Sequence, residues 1–210
     1  MGSILDLSIN DYNLYSFVLN VFLALLPCWI VFRLKKATKG HRWPTFKKGE
    51  KASFILIFLF WLAFFPNTAY LFTMPRHLVD YCTDYDLNRV CVEEAWMTTF
   101  FFGYAMVGVW TFVYALKAMS DLLGRVLGTI WRRRLPYALI PLTSLGVMLG
   151  LFARLNSWDV AFHPFKLLTD TAKTLANPYV MLDFGLFTAL SFLVYYGSEW
   201  LISLIRPSHD

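Results

Sequence analysis

Charge is scarce in this chain: Asp, Glu, Lys and Arg together make up 16% of its 210 residues, against 58% hydrophobic and 19% aromatic. A soluble domain averages about 25% charged and roughly 45–50% apolar residues, so this composition excludes an ordinary water-soluble fold. Histidine and cysteine are also few, four and three. No tight His or Cys pair is present to anchor a metal site, so neither a metal nor a cofactor is expected. Internal repeats and low-complexity linkers are absent as well, which leaves one integral membrane domain over residues 1–210. Without an inverted repeat a transporter has little support. The first apolar stretch follows Asp6 and Asp11 instead of a basic leader and has no small-residue cleavage pattern beyond it, so it is expected to be a retained helix.

What the chain has is long apolar runs, with a mean hydropathy of +0.51. Crossing roughly 30 Å of hydrocarbon takes about 20 mostly apolar residues. Five stretches qualify: Leu14 to Phe32, Ala52 to Thr73, Trp96 to Leu116, Pro136 to Ala153 and Met181 to Ile205. The expected fold is therefore all-α, a polytopic bundle of about five spans with short interfacial helices.

The connecting segments alternate in sign. Arg33, Lys35, Lys36, Lys39, Arg42, Lys47, Lys48 and Lys51 face Glu50 alone after the first span. After the third come Lys117, Arg125, Arg132, Arg133 and Arg134 against Asp121, whereas the segment between them holds Arg76 and Arg89 against Asp80, Asp84, Asp86, Glu93 and Glu94. Lys and Arg resist translocation, which predicts the N-terminus outside and the C-terminus in the cytoplasm. The last outer segment, with Arg154, Lys166 and Lys173 against Asp159 and Asp170, adds little to this vote. The chain's net charge of +5 lies mostly in the two inner segments, where it attracts anionic headgroups. No folded nucleic-acid module accompanies it, so the expected partners are membrane lipids, a partner protein or a second copy of the chain, and not nucleic acid.

Asp121 to Arg134 puts Leu122, Leu123, Val126, Leu127 and Ile130 at helical spacing, suiting an interfacial helix or an extension of the third span. Pro164 to Leu175 suits a second interfacial helix, with Phe165, Leu168, Ala172 and Leu175 on one face. Trp43, Trp96, Trp131, Trp158 and Trp200 are placed as interfacial anchors. Cys28 falls within a span, while Cys82 and Cys91 share the outer segment, where a disulfide is permitted but not specified by spacing.

Two polar motifs end on the same expected face. The second span closes with Pro66, Asn67, Thr68 and Tyr70, followed by Arg76 and His77. Proline removes a helical hydrogen bond and disfavours helical geometry at the residue before it, so Asn67 either stabilises a kink or faces a polar cavity. The fourth span closes with Arg154, Asn156, Ser157, Trp158 and Asp159, followed by His163. This group can close a helix end or grip an anionic headgroup. Asp183, opening the fifth span on the same side, can pair with Arg154 or Arg76. Beside a carboxylate, His77 and His163 have the right ligand type for a metal but not the spacing.

The series Pro66, Asn67, Tyr70, Thr73, His77 and the series Gly150, Phe152, Arg154, Asn156, Ser157, Trp158, Asp159 resemble the two signature stretches of the bacterial integral membrane proteins grouped as domain-of-unknown-function family 1361. The resemblance covers the second to fifth spans and implies a multi-span bacterial inner-membrane protein with a polar outer-face cluster. It implies no reaction. Family members usually carry an aspartate where this chain has Met74, and often an arginine and a tryptophan where it has Leu151 and Leu155.

The candidate ligand-binding set is thus Asn67, Tyr70, His77, Arg154, Asn156, Ser157, Trp158, Asp159, His163 and Asp183. The leading reading is a site for a lipid headgroup, a small polar ligand or a partner helix. The alternative is a membrane-embedded enzyme acting on a lipid-linked or cell-envelope substrate, with Asp159 or His77 as general acid or base. No catalytic residue is assigned.

Overall fold

Hydrocarbon offers no partner for a bare peptide group, so an apolar run that crosses it must satisfy its backbone internally, as a helix does. The computed structural model describes residues 8–9, 12–38, 42–81, 95–152 and 164–205. A two-residue antiparallel ladder, Ser8–Ile9 against Tyr12–Asn13, precedes α1, Leu14–Ala37. A short 3₁₀ turn at Trp43–Thr45 leads into α2, Lys48–Phe64, and then α3, Pro66–Tyr70, and an eleven-residue 3₁₀ helix, Leu71–Tyr81. The remaining helices are α4, Ala95–Leu127; α5, Thr129–Phe152; α6, Pro164–Ala176; and α7, Pro178–Ile205. The fold is all-α in character, with five helical stretches long and apolar enough to cross a membrane: Tyr15–Ala37, Lys48–Leu78, Trp96–Leu127, Thr129–Phe152 and Pro178–Ile205. Each expected span lies within one of them or overruns it by a residue. Cys82 and Cys91 lie outside the described residues.

α4 is the central helix, flanked by α1, α5 and the 3₁₀ helix. Its core partners form an aromatic column: Phe58 stacks on Trp61 at 5.9 Å, Trp61 on Phe65 at 4.5 Å, and Phe65 on Phe112 at 5.5 Å. The buried Trp61 also donates its indole N–H to the carbonyl of Pro27 at 3.1 Å, tying α2 to α1. Toward the other end, Ala24, Leu71, Met74, Met97, Phe101 and Tyr104 form a second cluster, and the Tyr104 hydroxyl donates to the Phe17 carbonyl at 3.3 Å. α7 is peripheral, and large apolar side chains such as Leu182, Leu186 and Leu193 point away from the bundle. Exposed apolar surface on this scale marks the part of a protein that faces lipid.

Two sequence expectations change. Asp121 to Arg134 is not one helix, because Gly128 takes φ +120° and divides it. Glycine adopts that conformation without a Cβ penalty, and its N–H closes α4 on the Gly124 carbonyl at 3.2 Å. Asp121 to Leu127 extends α4, whereas Thr129 onward already belongs to α5, so the two spans form a tight helical hairpin. Arg132 crosses it to Asp121 at 2.8 Å. Pro136 is consequently inside α5 instead of opening it, as is Pro141. The segment from Pro164 is helical as expected, with Phe165 and Leu168 exposed on the face assigned to the interface.

Candidate functional site

At the end of α2, Pro66 has no N–H to give, yet Phe65 keeps helical dihedrals, φ −58° and ψ −37°. Phe65 is thus helical although proline disfavours that geometry at the residue before it. Local donors make it tolerable: the Thr68 N–H turns to the Phe65 carbonyl at 3.1 Å, and the Thr68 hydroxyl donates to the same oxygen at 2.7 Å. The Asn67 side-chain amide donates to the Phe64 carbonyl at 2.9 Å. Of the two roles open to Asn67, this bond is the kink-stabilising one.

Neighbouring helices close directly on the kink. A Cβ on Gly146 of α5 would lie 2.8 Å from the Pro66 ring, and a Cβ on Gly108 of α4 would lie 2.6 Å from Leu71 Cβ and 3.0 Å from the Thr68 carbonyl. Small residues permit such approach between membrane helices, so the irregular backbone is covered by protein.

Beyond the kink, the 3₁₀ helix repeats every three residues, which sorts its side chains into rows. Leu71 and Met74 are buried, and His77 in the same row stacks on Phe101 at 6.1 Å. The next row is polar. The Thr73 hydroxyl donates to the Tyr70 carbonyl at 2.8 Å, and the Arg76 guanidinium donates to the Tyr70 hydroxyl at 3.3 Å while lying 5.9 Å above its ring. Arg76 is exposed and makes no ion pair among the described residues. Met74, where an aspartate is usual in the resembling family, fills the apolar core instead.

Of the ten candidate residues, Asn67, Tyr70 and His77 thus share one short segment, in three different roles. Asp183 is exposed near the start of α7 and pairs with neither Arg76 nor another cation among the described residues. Arg154, Asn156, Ser157, Trp158, Asp159 and His163 lie outside the described residues. α5 ends at Phe152, about 9 Å along its axis beyond Gly146. The chain therefore leaves α5 toward the end of the bundle that carries Tyr70 and Arg76. Among the described residues no three of His, Cys, Asp and Glu converge as a metal site requires.

The opposite end holds a second polar group. Lys117 of α4 meets both carboxylate oxygens of Glu199 on α7. Tyr195, one turn earlier on α7 and buried, lies beside Ser120. Lys35 of α1 comes within electrostatic reach of Asp121 and Arg125. Charge counting treated Lys117, Asp121 and Arg132 as loop residues, but they fasten α4 to α5 and α7. A sequence signal existed in the spacing Thr188, Ser191, Tyr195, Glu199, one face of a helix.

A profile for a protein family of unknown function, DUF1361, matches residues 19–194. The chain belongs to this family. The matched region runs from within α1 into α7, so it takes in Arg76 and Lys117 but stops one residue short of Tyr195. No curated protein and no solved structure matches the chain.

The Lys117–Glu199 pair carries a direct test of its structural part. The two side chains retain 38% and 29% exposure, so breaking the pair should cost less than the 3–5 kcal/mol of a fully buried one, about 1–2 kcal/mol. Lys117→Met and Glu199→Gln should each lower the thermal unfolding midpoint in nanodiscs. The double variant should fall by less than the sum of the two; strict additivity would mean that the ions do not interact.

Proposed function

We propose that the protein is an inner-membrane component whose outer end binds the anionic headgroup of a lipid. The observation that carries this reading is Arg76: an exposed guanidinium held over Tyr70 by ring and hydroxyl, with no carboxylate partner among the described residues. Arginine is suited to phosphate because its fork of donors matches the oxygens and it is weakly hydrated. In the sequence Arg154 and Asn156 follow the fourth span on the face expected to be outer, where they would add a second cation and an amide. The N-terminus is assigned outside and the C-terminus to the cytoplasm, in keeping with the basic residues after the first and third spans.

Native mass spectrometry on gently extracted protein tests the reading. Wild type should carry a discrete lipid adduct, whose mass names the headgroup class, and Arg76→Ala combined with Arg154→Ala should lose it while keeping its helix content. Equal adducts on both proteins would overturn the proposal and assign these arginines to closing helix ends.

A further inference from the structure

Buried hydroxyls in this bundle normally have a partner. Thr111 donates to the Val107 carbonyl at 2.9 Å, Ser120 to that of Leu116 at 2.7 Å, and Ser144 to that of Ile140 at 3.0 Å. Three hydroxyls break the pattern, Thr188 and Ser191 of α7 and Thr143 of α5, since their oxygens are buried and have no hydrogen-bond partner. Ser191 is only 1% exposed. An unpaired hydroxyl is costly where water is excluded, and two on one turn of a membrane helix point to a missing partner.

Their position suggests what it is. Thr188, Ser191, Tyr195 and Glu199 form one stripe of α7, and the contacts of Tyr195 with Ser120 and of Glu199 with Lys117 turn the lower part of that stripe toward α4. The stripe therefore descends from two orphaned hydroxyls, past a buried phenol, to an ion pair that is partly exposed. At 1.5 Å per residue it covers about 16 Å, roughly half of a 30 Å hydrocarbon layer. Residues three apart on a helix have Cβ atoms about 5–6 Å from each other, a span that one molecule with two hydrogen bonds of about 2.8 Å can bridge. Water is small enough, and it both donates and accepts.

We propose that this stripe is a water-binding seam: ordered water bridges Thr188 and Ser191 and continues past Tyr195 to the Lys117–Glu199 pair, giving the cytoplasmic side aqueous access to the middle of the bundle. The ligand is water itself, and the residues that hold it are hydroxyls buried in the bundle instead of facing lipid. The seam is separate from the outer-end site and does not depend on it.

X-ray radiolytic footprinting in nanodiscs with ¹⁸O-water provides the test, because bound water labels the side chains beside it. Tyr104 is the internal control, being equally buried and hydrogen-bonded to a backbone carbonyl. Tyr195 should be labelled severalfold faster than Tyr104. Thr188→Val with Ser191→Ala should bring the Tyr195 rate down toward that of Tyr104, whose own unchanged rate reports an intact fold. Equal labelling of the two tyrosines in wild type would overturn the proposal, leaving Thr188 and Ser191 to turn to carbonyls of their own helix. A fast Tyr195 rate unaffected by the double substitution would also overturn it, by confining water to the exposed end. Should the double variant not fold, the wild-type comparison and Ser191→Ala alone decide the matter.

Discussion

Trp61→Ala is expected to lower stability by about 3 kcal/mol, the low end of the range for truncating a large aromatic in a packed core. The low end applies because an indole released from a membrane bundle meets acyl chains instead of water, so that packing and not transfer carries the cost. Trp61 has no exposed surface, stacks on Phe58 and Phe65, and donates to the Pro27 carbonyl. Its loss would open a cavity where α1, α2 and α4 meet. Trp61→Phe separates the contributions: it keeps most of the ring contact and removes the N–H donor, for about 0.6 kcal/mol, the average for hydrogen bonds between membrane helices, and at most about 1.7 kcal/mol. Thermal unfolding in nanodiscs would measure both. If phenylalanine proved as damaging as alanine, the hydrogen bond to Pro27 would outweigh the stack.

Gly108→Ala is expected to cost about 1–3 kcal/mol, the usual range for overpacking. One methyl group there would sit 2.6 Å from Leu71 Cβ and 3.0 Å from the Thr68 carbonyl. The carbonyl is backbone and Cβ atoms move with it, so relief requires α4 to withdraw from the kink. Gly103, five residues earlier on the same helix, has nothing within 4 Å of an added Cβ. Gly103→Ala should therefore be neutral, or gain up to about 1 kcal/mol from helix propensity. Should both substitutions have the same effect, the close approach at Gly108 would not matter. Because the clash displaces the segment that leads to Tyr70 and Arg76, Gly108→Ala should also weaken the lipid adduct, although neither arginine is touched.

How much of this could be read from the residues varied with the physical cause. Asn67 was identified beside Pro66 because proline always leaves a backbone group to be satisfied, but its choice of the Phe64 carbonyl depended on Phe65 staying helical. Tyr70, Thr73 and His77 were recognised as a group, whereas their division between a polar row and an apolar row depended on a repeat of three that a 3.6-residue pattern conceals. Glu199 stands beside Trp200 with no charged neighbour in the sequence to mark it. Its partner Lys117 lies 82 positions away, and nothing local joins them.

Class and span number belong to the sequence, because the thickness of hydrocarbon and the cost of bare peptide groups act on each stretch of chain by itself. So do the basic flanks, which act through their own charge. The glycine contacts around Pro66 and the polar stripe of α7 turned toward α4 were decided by the tertiary structure alone. Each depends on how closely two distant backbones approach, and that distance is set by the packing of the whole bundle and by no single segment.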